Sequence, residues 1–265
     1  MAKIGFIGMG NMGYALLKGI LKKYDKEEII FSDVNEERMK HVYAETGVKY
    51  ALSNAECANS AKYIILAIKP QYYNDVADNI VDIISRDNVI ISIAPGITIK
   101  SLKDRLGFNA RIVRAMPNTP ALIGEGMTGV TYNRAEFDYI EKGVIEDIFG
   151  SIGKMKFVSE NLISAVTAAS GSSPAYVYVF IEALADSVVR CGLSRSDAYE
   201  FVAQAVVGSA RMVLETGAHP AQLKDMVSSP AGTTIEGLAA LEENGFRNAI
   251  YKATEACFER AENIK

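Results

Sequence analysis

The chain has 265 residues, of which 49% are hydrophobic and 23% charged, and its formal net charge is −4. This composition excludes a disordered or fibrous protein, and the length favours two domains. Because acidic and basic residues are interspersed, we expect no strongly positive region and no nucleic-acid partner. The cysteines form no CxxC pair and neither histidine lies in a metal-ligand motif, so we expect no disulfide framework and no metal site.

The first residues, MAKIGFIG, begin a strand-like run at once. This start leaves no room for a signal peptide and predicts a cytoplasmic protein. The most apolar stretch, residues 175–189, is interrupted by Glu182 and Asp186, so we expect no membrane span.

From residue 3 to residue 158, short β-branched runs alternate with helical patterns, which predicts βα units around a parallel sheet. The runs at 63–67 and 89–93 are almost continuously apolar and should be central strands. The predicted strands cover 3–7, 28–32, 63–67, 89–93, 111–115, 127–131 and 154–157.

After residue 160 the pattern becomes helical, with helices predicted over 174–190, 194–215 and 246–264. Ser194 is a predicted N-cap, Pro174 a predicted first helical residue, and Gly192 and Gly217 are predicted stops. The fold class is therefore α/β. We expect a mostly parallel sheet domain over 1–158 and an all-helical domain over 159–265.

The segment KIGFIGMGNMG is the sharpest local signal, because Gly8, Gly10 and Gly13 have GxGxxG spacing between a strand and a helix. In such a turn the first glycine permits the tight bend, the second admits a pyrophosphate and the third lets the helix pack closely. The N-terminus of the helix then binds the phosphates.

The second strand ends in FSDVNEER, where ribose recognition is expected. Asp33 would accept a hydrogen bond from a ribose 2′-hydroxyl and would repel a 2′-phosphate. Ser32, Asn35, Arg38 and Lys40 could instead donate to that phosphate, so the residues leave NADH and NADPH open.

Three further turns follow predicted strands and should lie at the same carboxyl edge of the sheet. ILAIKPQ and ISIAPGIT are predicted to bracket the cofactor, although Pro70 and Pro95 also suit simple strand ends. The two prolines of RAMPNTPA make the loop around Asn118 and Thr119 stiff.

In the helical half, KDMVSSPAGTTIEGL offers two overlapping helix starts. Ser229 could be an N-cap with Pro230 at the first helical position, or Thr233 could form a capping box with Glu236. Either start leaves backbone N–H groups from Ala231 to Thr234 that suit a carboxylate.

Taken together, GFIGMGNMG, AIKP, MPNTP, GSSPAYVY, GLSR and QLKDMVSSPAGTTIEGL resemble the pyrroline-5-carboxylate reductases, nearly from end to end. The resemblance implies reduction of 1-pyrroline-5-carboxylate, a cyclic imine carboxylate, to L-proline by NAD(P)H in the final step of proline biosynthesis. It also implies a Rossmann-type dinucleotide-binding domain over 1–158, a helical substrate and dimerisation domain over 159–265, a homodimer with assembly into a higher homo-oligomer left open, and a slight preference for NADPH.

The resemblance implies two groups of site residues. The cofactor would contact Ile7, Gly8, Met9, Gly10, Asn11, Met12, Gly13, Ser32, Asp33, Asn54, Ala67, Ile68, Lys69, Pro70, Ile93, Ala94, Pro95 and Gly96. The substrate would contact Ser229, Ala231, Gly232, Thr233 and Thr234.

The chain departs from the usual family motifs at Ser173, Ala231 and Thr233, where members often read GSGPAY and SPGGAT. A protonated C=N bond is already electrophilic, so the protein mainly has to hold it against the nicotinamide. We expect Thr234 to act as the catalytic residue by hydrogen-bonding the ring nitrogen.

Two alternatives use the same sequence features differently. A β-hydroxyacid dehydrogenase also opens with a strand, GxGxxG and a helix, but it needs a helix lysine where this chain has GSSPAYVYVF. A noncatalytic dinucleotide sensor would bind the cofactor without oxidising it when an imine is added.

Overall fold

The computed structural model describes residues 2–263. Its contacts divide the chain into two compact units. The first contains the described residues up to Ser172 and from Cys257 onwards, and the second is Ser173–Ala256. The predicted boundary after residue 158 separates a cofactor-binding part from a substrate-binding part of the chain. This functional division stays a prediction.

The first unit is built on an eight-stranded sheet with the order β3-β2-β1-β4-β5-β6-β7-β8. The strands are β1 (Ala2–Ile7), β2 (Ile29–Ser32), β3 (Lys49–Tyr50), β4 (Ala61–Leu66), β5 (Val89–Ser92), β6 (Arg111–Met116), β7 (Gly126–Tyr132) and β8 (Gly153–Phe157). All seven predicted strands are confirmed. The sequence missed β3, because two residues are too few to form an alternating pattern.

All neighbouring strands run parallel except β6 and β7, which are antiparallel. The connection over 117–125 is shorter than the dozen or so residues that a parallel crossover needs, so β7 has to reverse. The mostly parallel Rossmann-type sheet is confirmed, since the first six strands have the order typical of dinucleotide-binding folds.

Helices cover both faces of this sheet. In β4, Tyr63 and Ile65 belong to one apolar core, whereas Ile64 and Leu66 belong to the other. The first core also contains residues of α1 (Asn11–Ile20), α2 (Glu36–Thr46) and α6 (Tyr139–Gly150). The second contains residues of α3 (Asn54–Ser60), α4 (Tyr73–Ile80) and α5 (Ile99–Leu106). Continuous apolar runs in the central strands are explained by this double covering.

The last helical segments begin with α7 (Ile163–Val166), a π-helical stretch (Thr167–Ser172) and α8 (Ser173–Arg190). The predicted helix start at Pro174 is wrong, because the chain is already helical from Ile163 onwards. The remaining helices are α9 (Arg195–Thr216), α10 (Pro220–Met226), α11 (Thr233–Glu243) and α12 (Phe246–Glu262).

The predicted caps of α9 are confirmed. The Ser194 side chain accepts a hydrogen bond from the N–H of Asp197, and Gly217 ends the helix with a left-handed φ of 65°. The predicted end of the last helix at Ile264 lies outside the described residues. None of the described helices is both long and apolar enough to cross a membrane.

The second unit has a small core of its own. Of its described side chains, only Ala185, Ala198 and Val202 form the buried cluster, with a few partly buried neighbours. Many large apolar side chains of its helices are exposed in the single chain, including Val179 at 64% and Phe201 at 68%. An apolar surface of this kind is typical of an interface.

Candidate functional site

The three glycines of the first turn differ in what an added Cβ would meet. Gly8 has a φ of +95°, and a Cβ there would lie 2.6 Å from the carbonyl oxygen of Ala67. A Cβ on Gly13 would lie 2.5 Å from the carbonyl oxygen of Gly8. A Cβ on Gly10 would meet no atom within 4 Å. Gly8 and Gly13 are therefore needed by the fold, whereas the open space at Gly10 is free for a ligand.

Helix α1 begins directly after this turn and has no side-chain cap. Its N-cap is Gly10, and no acidic residue lies in its first turn. The first N–H groups of a helix have no partner within the helix, and the helix dipole adds positive potential there. Asn11, Met12 and Gly13 therefore offer donors to an anion such as a pyrophosphate.

The side chains of two expected cofactor residues are directed into the protein. Met9 is fully buried and Ile7 is 1% exposed, and both belong to the cores of the sheet. Any contact from these two residues to a ligand must therefore be made by the backbone.

The Ser32 and Asp33 turn lies against the glycine turn, as the sequence predicts. The Gly8 N–H donates to the carbonyl oxygen of Ser32 at 2.8 Å, and the Ser32 hydroxyl donates to Asn54 Oδ1 at 3.0 Å. The Asp33 carboxylate accepts from the N–H of Met9 at 2.6 Å through Oδ2 and from the N–H of Asn35 at 2.8 Å through Oδ1. Asp33 thus ties the two turns together.

The structure separates the two basic residues of this segment. Arg38 Nε donates to the carbonyl oxygen of Met9 at 2.8 Å, and the guanidinium lies 4.6 Å from the centre of the Tyr14 ring. Lys40 instead pairs with Glu36 at 2.7 Å on the exposed face of α2. Only Arg38 lies beside the glycine turn.

The turns after β4 and β5 are brought next to the glycine turn. Ala67 donates its N–H to the carbonyl oxygen of Ile7 at 2.9 Å, and the side chain of Ile68 packs beside Gly8. Lys69 is exposed and precedes a 3₁₀ turn that starts at Pro70. Because β1 and β4 are neighbours at the point where the strand order reverses, these turns border the crevice where such sheets bind ligands.

A buried tyrosine forms hydrogen bonds at the start of the turn after β5. The Tyr73 hydroxyl lies 2.7 Å from Ser92 Oγ and donates to the carbonyl oxygen of Leu66 at 3.1 Å. Burial raises the pKa of Tyr73, so its hydroxyl stays neutral. Ile93 and Ala94 are buried, and Gly96 turns the chain with a φ of 79°.

Sequence reasoning missed an ion pair between a buried arginine and a partly exposed glutamate close to this turn. Arg114 on β6 is 6% exposed, and its Nη1 lies 3.1 Å from Glu160 Oε1. The same oxygen of Glu160 accepts the N–H of Ile99, the first residue of α5, at 2.7 Å. An arginine inside the apolar run RIVRAM was the available signal, but its partner is 46 positions away.

The stiff loop around Asn118 connects two parts of the first unit. Its Nδ2 donates to the carbonyl oxygen of Ser170 in the π-helical stretch at 3.0 Å, and its Oδ1 accepts the N–H of Met127 at 2.9 Å. Because the side-chain nitrogen and oxygen of buried Asn118 are both hydrogen-bonded, the loop is held in one position.

The expected substrate segment lies in the second unit, and both predicted helix starts are wrong. The N-cap of α11 is Gly232, which has no side chain to cap the helix. A Cβ on Gly232 would lie 2.4 Å from Ser229 Oγ, and Gly232 also donates its N–H to the carbonyl oxygen of Ser229 at 3.1 Å. Thr233 and Thr234 occupy the first turn, where backbone donors are left for an anion.

Ala231 is in a strained conformation directly before this helix. Its φ is 56°, the one positive value among the described non-glycine residues. Left-handed backbone is costly for a residue with a Cβ and is often found at functional sites. Ser229 and Ala231 are exposed in the single chain, and Thr234 is half-buried.

Comparison with known proteins decides the family. The chain is 44% identical over 264 residues to the pyrroline-5-carboxylate reductase of Escherichia coli K12, covering 99% of this chain and 98% of the relative. It is 41% identical to that of Methanosarcina acetivorans, covering 99% and 97%. The chain belongs to the pyrroline-5-carboxylate reductase family.

Solved structures agree with this membership. The Plasmodium falciparum pyrroline carboxylate reductase, whose crystal structure has NADP bound, matches with a TM-score of 0.89 at 36% identity. That match covers 98% of this chain and 97% of the other.

Two family models match different parts of this reductase-family chain. The model described as pyrroline-5-carboxylate reductase dimerisation matches residues 160–264 and so includes Ser229 to Thr234. The model described as NADP oxidoreductase coenzyme F420-dependent matches residues 3–96, which include the glycine turn and the turns after β2, β4 and β5.

Proposed function

We propose that this chain reduces 1-pyrroline-5-carboxylate to L-proline by hydride transfer from NAD(P)H, the final step of proline biosynthesis. The observation that carries the proposal is a pair of glycine-capped helix starts in a member of this family. Both α1 and α11 begin at a glycine, which leaves N–H groups for an anionic ligand. One start suits a pyrophosphate and the other a substrate carboxylate.

The residues of the first unit fit a dinucleotide. The uncapped start of α1 would hold the pyrophosphate, with Gly10 leaving space for it. Ser32 and Asn54 would lie beside the adenosine ribose, Asp33 would hold the turn beneath it, and the turns after β4 and β5 would hold the nicotinamide half. When bound, NAD(P)H supplies the hydride, and the protein's task is to orient it and exclude water.

We propose NADPH as the preferred cofactor. Both oxygens of Asp33 already accept backbone N–H groups, which makes this carboxylate a poorer acceptor for a ribose hydroxyl. The Arg38 guanidinium lies near the Tyr14 ring and donates one hydrogen bond through Nε, and among the described residues its two Nη groups make no hydrogen bond. A guanidinium beside the glycine turn would bind a 2′-phosphate through those nitrogens.

The cofactor proposal predicts a selective loss for Arg38→Met and no selective loss for Lys40→Met. Arg38→Met should raise the KM for NADPH at least tenfold and change the KM for NADH less than threefold. Lys40→Met is the matched control, because Lys40 faces solvent and pairs with Glu36. Equal losses for both cofactors in Arg38→Met would contradict the preference for NADPH.

In the second unit, the backbone N–H groups at the start of α11 would bind the substrate carboxylate. The Thr234 hydroxyl would hydrogen-bond the ring nitrogen and orient the C=N bond. A protonated imine is already electrophilic, so an acidic side chain is not required. The strained turn at Ala231 would hold the donors in a fixed direction.

Thr234→Val tests this role because it removes the hydroxyl and keeps nearly the same shape. Losing one hydrogen bond that serves the transition state should cost about 1–3 kcal/mol, or roughly 5- to 150-fold in kcat/KM. Thr234→Ser retains the hydroxyl and should recover most of the activity. If Thr234→Val keeps wild-type kcat/KM for pyrroline-5-carboxylate, the residue has no such role.

We propose a homodimer, with assembly into a higher homo-oligomer open, formed through the helices of the second unit. Support comes from the matched dimerisation model and from exposed apolar residues such as Val179, Phe201 and Leu214. The cytoplasmic location expected from the sequence stays a prediction.

One assay tests the reaction, the substrate and the cofactor together. NADPH and NADH absorbance is followed at matched concentrations with and without pyrroline-5-carboxylate. Imine-dependent oxidation with proline as the product is expected. Cofactor binding without imine-dependent oxidation would overturn the proposal and favour a dinucleotide sensor.

A further inference from the structure

Glu160 joins three parts of the first unit through one carboxylate oxygen. That oxygen accepts the N–H of Ile99 at 2.7 Å and pairs with Arg114 Nη1 at 3.1 Å. Arg114 lies on β6 directly beside Ser92, the last residue of β5. Ile99 is the first residue of α5. The residues between Ser92 and Ile99 form the turn that is expected to contact the nicotinamide half of the cofactor.

We propose that Glu160 is a positioning residue for hydride transfer, which it serves by fixing the far end of the turn over 93–98. This inference rests on the proposed function, because it takes the turn to be part of the cofactor site. Glu160 does not itself touch the cofactor in this proposal. Its effect passes through Arg114 and Ile99.

Electrostatics keep Glu160 in its place. The Arg114 side chain is 7% exposed, and its Nε has no hydrogen-bond partner among the described residues. A buried guanidinium needs a counter-ion, because an unpaired charge in the interior is strongly unfavourable. Glu160 is the one carboxylate that forms an ion pair with Arg114 in the described part of the chain. Although the Glu160 side chain is 35% exposed, its buried partner restrains it more than an ion pair between two exposed side chains would.

The bond to Ile99 transfers this restraint to the turn. The first N–H of a helix has no partner inside the helix, and here a carboxylate satisfies it with support from the helix dipole. Thr98 and Ser101 form a reciprocal capping box at the same helix start. One end of the turn is thus fixed by β5 and the other by Glu160.

Between these two anchors, Ile93 and Ala94 are buried near Tyr73, but the backbone from Ile93 to Gly96 makes weaker contacts. The Ile93 N–H lies 3.4 Å from the carbonyl oxygen of Leu66, which is a long hydrogen bond. Gly96 adopts a left-handed conformation that places few restrictions on the chain. An error of about 1 Å in a group that orients a reactant can cost about 100-fold in rate. Loss of Glu160 should therefore be felt mainly in the chemical step.

The decisive experiment compares kinetics of two Glu160 variants with a matched ion-pair variant. Glu160→Ala should lower kcat 10- to 100-fold and leave the KM for pyrroline-5-carboxylate within twofold. Glu160→Gln keeps an acceptor for Ile99 and should lose less. The primary isotope effect with deuterated NADPH should rise in both, because misplacement slows hydride transfer itself.

Glu136→Gln is the control. Glu136 forms an ion pair with Lys103 at 2.9 Å, and its side chain is about as exposed as that of Glu160, at 29% against 35%. It lies in the loop after β7, near the amino ends of the parallel strands. Its removal should leave kcat and the isotope effect unchanged. If Glu160→Ala also keeps wild-type kcat and isotope effect, the pair serves stability alone and the proposal is wrong.

A double variant separates positioning from stability if Glu160→Ala folds poorly. Arg114→Met with Glu160→Ala removes both charges and the acceptor for Ile99. Because no buried cation is left unpaired, the melting temperature should recover toward wild type. In the positioning model kcat stays low. Full recovery of kcat together with the melting temperature would overturn the proposal.

Failure of the proposed function gives a different result. If the wild-type protein shows no imine-dependent oxidation, the proposed reaction is wrong whatever the variants do. The inference about Glu160 is then decided by NADPH binding. At least fivefold weaker binding by Glu160→Ala, but not by Glu136→Gln, supports it, and equal binding by all three proteins overturns it.

Discussion

The open space at Gly10 gives a prediction that separates ligand binding from folding. Gly10→Ala adds a methyl group that meets no protein atom within 4 Å, in a backbone conformation with φ −68° that alanine readily adopts. The N-cap preference for glycine over alanine and the lower entropy of the unfolded alanine chain oppose each other, so stability should change by about 0.5 kcal/mol or less. The methyl would nevertheless stand where the pyrophosphate approaches the backbone. The Kd for NADPH should rise about 10- to 100-fold, or about 1.4–2.8 kcal/mol.

Gly13→Ala is the matched comparison, because its methyl would lie 2.5 Å from the carbonyl oxygen of Gly8. That overlap forces α1 away from the turn and should destabilise the protein by about 1–3 kcal/mol. Urea denaturation without cofactor measures the stability of both variants. NADPH binding is followed by nicotinamide fluorescence, which no tryptophan obscures in this chain. Wild-type affinity in a folded Gly10→Ala protein would refute the assignment of this turn to the pyrophosphate.

Three further predictions follow from other parts of the structure. Ala231→Gly should remove about 1–2 kcal/mol of left-handed backbone strain and add about 0.4–1 kcal/mol of unfolded-chain entropy. Urea denaturation should therefore show an equal or slightly higher free energy of unfolding, and a clear decrease would contradict the strain. Burial opposes ionisation of Glu141, but hydrogen bonds from Lys62 and Arg111 lower its pKa below 4.5. The stability that this carboxylate contributes should be present above pH 4.5 and lost as the pH falls through its lowered pKa. The free energy of unfolding of Glu141→Gln should therefore fall less steeply with decreasing pH than that of the wild type, and an unchanged pH dependence would contradict this. Phe201→Asp places a charge on an exposed apolar face and should shift sedimentation from dimer to monomer, whereas an unaltered dimer would exclude this face from the interface.

Local patterns in the sequence were sufficient for most of the sheet. Apolar runs located seven strands, and the glycine spacing located the first turn, because both signals come from neighbouring residues. The two-residue strand β3 and the reversal of β7 were not visible. Their placement depends on hydrogen bonds to other strands and on the length of a connection.

The site shows the same division between local and distant causes. Asp33 contacts the glycine turn as expected, because the ends of parallel strands lie at one edge, and Ser32 contacts Asn54, which only the resemblance placed at the site. The start of α11 was misplaced, since Thr233 and Ser229 both look like caps until the contact between Gly232 and Ser229 is known. The roles of the individual site residues remain predictions until the variants are measured.

The small core of the second unit has a consequence for any measurement of stability. With Ala185, Ala198 and Val202 as its buried cluster, the described part of this unit buries few side chains completely. In the proposed homodimer its exposed apolar helices would gain stability from a second copy, so that folding and self-association would be linked. Melting temperatures should therefore rise with protein concentration, and values from different laboratories are comparable only at the same dilution.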